Sequence, residues 1–125
     1  MILAKALEIF DRERDNSLSV EHKTEWISQL DSRISSEILK PRGVENFEGY
    51  NSVTSPDTVL LAPDEYGEIY SLYMNMRLDY VNGEIGRYNN SAMLFNRMYM
   101  ELFDFINRNR SVSAKNKIKA GDLIV

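Results

Sequence analysis

His22 is the only histidine in the chain, and so the only side chain whose ordinary pKa would let it move protons near neutral pH. A lone imidazole becomes catalytic when a carboxylate orients it and a nucleophile or water stands beside it. His22 instead precedes Trp26 by four residues, one turn along the same expected helix, a spacing that points to a surface or packing role. No triad assembles around it. The carboxylates have plainer explanations. Asp64, Glu65 and Glu68 cluster where a helix should begin, and negative charge there meets the positive end of the helix dipole. Asp57 belongs to the turn-forming run Ser55-Pro56-Asp57. A dinuclear carboxylate bundle would use Glu-x-x-His pairs on inward faces, and the sequence contains none. Gly83 and Gly86 lack the lysine and the preceding strand of a phosphate loop, so Asn82-Gly83-Glu84 reads as turn chemistry. With no cysteine in the chain, disulfides, thiolate nucleophiles and the common structural zinc sites are removed together. The expectation is a protein that is not an enzyme and uses no cofactor or metal.

The elements that would position any such groups are mostly helical. Leu3, Ala6, Leu7 and Phe10 share one face of a first helix over Ile2 to about Arg14. Asp15-Asn16-Ser17 breaks it. Ser19 is a suitable N-cap for a second helix to about Lys40, in which Ile27, Leu30, Ile34 and Ile38 recur at steps of three and four. Pro41 and Gly43 close that helix, since proline cannot continue the hydrogen-bond ladder and glycine accepts the left-handed terminal conformation. Residues 41–62 fit no helix. Val44 to Tyr50 and Thr58 to Ala62 have some strand character, so the segment is expected to be a loop or a small β-hairpin arm.

Pro63, followed by Asp64 and Glu65, opens the third helix. Its stripe is predicted as Tyr66, Ile69, Tyr73, Met76 and Tyr80, and Asn82-Gly83 then offers a break. A fourth helix carries Ile85, Tyr88, Ala92, Phe95, Tyr99, Leu102 and Ile106, with Met93, Met98 and Phe103 widening the apolar surface. Asn89-Asn90-Ser91 is an alternative position for the break. The simplest packing is an antiparallel helical pair with the second helix laid across it. The fold class is therefore mainly α, an antiparallel bundle of about four helices forming one domain over 1–110. Six of the seven tyrosines fall in the third and fourth helices. Tyrosine suits the rim of a core and also subunit contacts. The apolar positions exceed what one thin bundle can hide, and oligomerisation would cover the surplus.

Charge is distributed unevenly. Residues 1–107 carry 10 basic and 18 acidic side chains, a net −8, whereas Arg108, Arg110, Lys115, Lys117 and Lys119 follow with no acid before Asp122. An acidic body repels phosphate backbones, which argues against sequence-specific nucleic-acid binding. The basic stretch 111–125 is expected to be a flexible tail able to touch an acidic partner. The start, Met1-Ile2-Leu3-Ala4-Lys5, has no basic segment leading into an apolar one, and no apolar run approaches the length needed to span a bilayer. No membrane partner is expected.

Leu60-Leu61-Ala62-Pro63, Tyr70, Tyr73, Leu78-Asp79-Tyr80, Asn82-Gly83-Glu84, Arg87-Tyr88-Asn89-Asn90-Ser91 and Phe95-Asn96, with a weaker echo at Glu25-Trp26-Ile27 and Leu30-Asp31, resemble a group of small proteins of Firmicute phages and prophages. That group is similar to the head-tail connector, or adaptor, proteins of tailed phages, and the resemblance covers about half of the chain. It implies a helical structural protein that assembles as a homo-oligomeric ring and contacts the phage portal or tail-proximal proteins. Its places would be the host bacterial cytoplasm during assembly and the virion head-tail junction. The ending from Lys117 to Val125 matches nothing in that group. The alternative is a small helical prophage regulatory or chaperone-like protein-binding module. Phe47, Tyr50, Arg108, Arg110, Lys115, Lys117 and Lys119 are the candidate partner-binding residues.

Overall fold

The computed structural model describes residues 1–44 and 47–112. Four α-helices run in chain order: α1 (Leu3–Glu13), α2 (Val20–Ile34), α3 (Ile69–Val81) and α4 (Ile85–Val112). The expected mainly helical bundle is the observed architecture. In α1 the residues turned inward are Leu3, Ala6 and Phe10, as their spacing predicts. Ser19 caps α2, its side-chain oxygen accepting the His22 N–H at 3.0 Å. Beyond Ile34 the helix widens into a π turn, Ser35–Leu39, and then tightens into a 3₁₀ turn, Lys40–Arg42. The added residue of the wide turn lets the neighbours Ile38 and Leu39 both reach the core. Gly43, at φ 82°, ends the helical run in the left-handed conformation that a side chain would resist.

The hairpin reading of 41–62 is corrected. Among the described residues there is no hairpin there, only one isolated antiparallel bridge between Val59 and Ile2. The segment folds back over the body. The Leu3 N–H reaches the Thr58 carbonyl at 2.9 Å, and the Leu60 N–H reaches the Met1 carbonyl at 2.9 Å. The Tyr50 and Leu61 N–H groups go to Ser28 Oγ and Asp31 Oδ2. With backbone donors committed to the start of the chain and to side chains of α2, the segment satisfies its polar groups without a second strand. Its own Leu60 and Ala62 are buried in the core.

Pro63 opens a 3₁₀ turn, Asp64–Tyr66, and α3 begins only at Ile69. The predicted stripe on α3 is also corrected. The buried residues are Ile69, Tyr70, Ser71, Met74, Leu78 and Asp79, whereas Tyr73 and Met76 are half-buried and Tyr80 is exposed. The reason is position: α3 packs most extensively on α4 and also touches α1 and α2, so more than one of its faces is inward. α3 and α4 are antiparallel, as the successive ring pairs Tyr80–Tyr88 at 5.7 Å, Tyr73–Phe95 at 5.3 Å and Tyr66–Phe105 at 5.1 Å show. The break is at Asn82–Glu84, with Gly83 at φ 70°, and α4 runs unbroken through Asn89-Asn90-Ser91. Phe95, Tyr99, Leu102 and Ile106 of the predicted α4 stripe enter the core. Among the described residues no helix is long and apolar enough to cross a membrane.

Candidate functional site

Two polar clusters and one exposed surface stand out among the described residues. The first cluster surrounds Asp31, an acid in the last turn of α2 with no exposed surface. Its carboxylate accepts the Tyr50 hydroxyl at 2.7 Å, the Tyr70 hydroxyl at 2.7 Å and the Leu61 N–H at 3.0 Å. The Tyr70 oxygen in turn accepts the Ala62 N–H at 2.9 Å. Burial pushes the Asp31 carboxyl up to about 6, although the donors from Tyr50, Leu61 and Tyr70 pull the other way. Burial and the adjacent Asp31 charge hold both tyrosine hydroxyls above their usual range. This arrangement ties α2, the 47–62 segment and α3 together. Both carboxylate oxygens and the Tyr70 oxygen already accept donors from the protein.

The second cluster joins the end of α1 to α3 and α4. Arg14 donates to Asp79 Oδ1 at 2.7 Å and to Asn75 Oδ1 at 3.0 Å, and Ser91 Oγ donates to Asp79 Oδ2 at 2.6 Å. Burial alone would raise the Asp79 carboxyl, but the hydrogen bonds from Arg14 and Ser91 outweigh it and hold the group below its usual range. An open cleft of about 360 Å³ lies beside this clasp, bordered by Arg87, Asn90 and Leu94. Its inner acid is consumed by Arg14, and Arg87 is paired with Glu84 at 2.8 Å. The cluster therefore acts as a clasp between helices. Among the described residues no group of three or more His, Asp or Glu side chains could hold a metal ion.

The exposed surface is of a different kind. Tyr80, Val81 and Ile85 stand on the two sides of the α3–α4 turn at 64%, 58% and 74% exposure, and Met93 and Met100 continue along the outer side of α4. Steps of eight and seven residues from Ile85 return to roughly the same side of a helix. Beside the turn, the Arg77 guanidinium lies 5.8 Å from the Trp26 ring and 5.9 Å from the Tyr80 ring. Its Nε is buried with no hydrogen-bond partner among the described residues. His22 meets Trp26 edge-on at 4.8 Å, the packing role its spacing predicts. An exposed apolar group next to Tyr and Arg has the composition of a protein-contact site.

The residues singled out from the sequence are placed differently. Phe47 and Tyr50 are half-buried and pack edge to face at 5.2 Å, and the Tyr50 hydroxyl is spent inside the molecule on Asp31. Arg108 is exposed on the last turns of α4. The side chain of Arg110 and all of Lys115, Lys117 and Lys119 lie outside the described residues. Sequence reasoning missed Arg77, which nothing in the spacing distinguishes from a solvated helix residue. It also missed Asp31, for which a signal exists: it stands four after Ile27 and three before Ile34, inside the buried stripe. No family model matches the chain, and neither a curated protein nor a solved structure is similar to it at a significant level.

Proposed function

We propose that this chain is a structural, non-enzymatic subunit of the head-tail connector (adaptor) type, assembling as a ring between the portal and the tail of a phage. It would be made in the host cytoplasm and end at the head-tail junction of the virion. The observation that carries the reading is the exposed apolar surface from Tyr80 to Met100; the resemblance of residues 58–110 to phage adaptors supplies the kind of assembly.

Magnitudes favour a many-contact assembly over a simple pair. Covering five side chains that are already partly enclosed yields about 1 kcal/mol each, or roughly 5 in all. Association costs about 4–15 kcal/mol in lost freedom and ordering. One such patch supports a weak contact, and strength comes when many copies are held together and each contact raises the effective concentration for the next.

The test is made on particles purified from an induced culture of the bacterium that carries the gene. Mass spectrometry and symmetry-resolved electron microscopy are expected to find this chain as a ring at the head-tail junction. The pair of changes Ile85→Asp and Met93→Asp, at positions 74% and 54% exposed, should leave the helical spectrum intact and abolish incorporation. Complete particles with portal and tail but without this chain would refute the adaptor reading. A stable dimer that binds a non-virion protein would favour the regulatory module in its place.

A further inference from the structure

A second apolar surface, formed by α1, the start of α2 and the connecting segment, does not depend on the reading above. Leu3, Ala4 and Leu7 of α1, Val20 and Thr24 of α2, and Pro56 of the connecting segment line a groove of about 480 Å³. Val20, at the first turn of α2, is 62% exposed there. Two acids, Glu8 and Glu21, stand at the rim. Glu8 is only loosely paired, at 3.5 Å to Lys5 and 3.7 Å to Arg12, and Glu21 makes no ion pair among the described residues.

We infer that this groove is the docking site for the chain's own segment 113–125. The segment has the complementary chemistry, with Lys115, Lys117 and Lys119 followed by Leu123-Ile124-Val125. Three apolar side chains match an apolar floor, and lysines match the acidic rim. Reach allows it. Thirteen residues extend to about 43 Å, comparable to the roughly 42 Å length of the 28-residue α4. The end of α4 also lies on the same side as the start of α1, because Phe105 packs on Tyr66 at 5.1 Å and the Met1 side chain lies against Gly67. A tethered segment is present at an effective concentration in the millimolar range, which at micromolar protein favours the chain's own groove over that of a second copy.

The absence of cysteine makes the test clean. Val20→Cys is combined with Ile124→Cys in the full chain, oxidised mildly at micromolar concentration and run on a non-reducing gel; Met93→Cys with Ile124→Cys is the control. The expected result is an intramolecular disulfide forming at least about tenfold faster in the Val20 pair. Equal rates in the two pairs, or a Val20 pair that links only as dimers, would overturn docking by the chain's own segment. A second readout avoids new disulfides: trypsin should cut at Lys115, Lys117 and Lys119 about tenfold faster once Val20→Lys and Glu21→Lys are introduced. Unchanged cleavage, with an unchanged helical spectrum, would also reject the site.

Discussion

Asp31 is where one residue governs the behaviour of the fold. It is fully buried and accepts three hydrogen bonds. With its carboxyl at about 6 in the folded protein and near 3.8 when free, the native state binds the proton more tightly than the unfolded chain does. Its contribution to stability is therefore fully present below about pH 3.8 and is lost as pH rises through 6. The size is roughly 2 kcal/mol between pH 4 and 7, taking about 1.4 kcal/mol per pK unit. Asp79 works in the opposite direction: held low by Arg14 and Ser91, it contributes above the usual carboxylate range and fails as pH falls below it. Urea denaturation of the wild type and Asp31→Asn at pH 4.5 and 7 separates the two. The wild type is expected to lose its advantage over Asp31→Asn as pH rises, because asparagine cannot ionise; a constant difference would mean that burial does not control this group. The acid was legible as an intruder in an apolar stripe, but its partners were not, since Tyr50 and Tyr70 are 19 and 39 residues away.

At the scale of elements, legibility follows the number of neighbours. α1, α2 and α4 each turn a definable face to the core, and the spacing of Phe10, Ile27, Ile34, Phe95 and Leu102 declares that face. α3 is apolar at most of its positions and touches three helices, so periodicity cannot choose between the run Ile69, Tyr73, Met76 and the run Tyr70, Met74, Leu78. The segment 47–62 was opaque for another reason: its backbone is satisfied by Ser28, Asp31 and the start of the chain, long-range partners that no local pattern encodes. Capping, by contrast, is local and was readable. Ser19→Ala removes the acceptor for the His22 N–H and should cost about 1 kcal/mol of unfolding free energy, whereas Ser19→Gly or Ser19→Asp should lose a few tenths or nothing. Denaturant melts of the three variants check this; an Ala variant as stable as the wild type would mean that the start of α2 is held by packing alone.

For the whole molecule, the uneven charge makes the two surfaces respond oppositely to salt. Residues 1–107 carry a net −8, so bringing copies together through the Tyr80–Met100 surface sets like-charged bodies against each other. Salt shortens the screening length from about 10 Å at 0.1 M to about 3 Å at 1 M, while the apolar attraction is undiminished or strengthened. Self-association should therefore increase with sodium chloride. Docking of the lysine-bearing segment 113–125 on the Glu8 and Glu21 rim draws on attraction between opposite charges, so salt should weaken it. Sedimentation velocity of the wild type and disulfide yield of the Val20→Cys, Ile124→Cys chain, each followed from 0.1 to 1 M salt, are expected to move in opposite directions. If both rise, the segment docks by apolar contact and the acidic rim is incidental; if both fall, the copies meet through the basic segment and not through the α3–α4 surface.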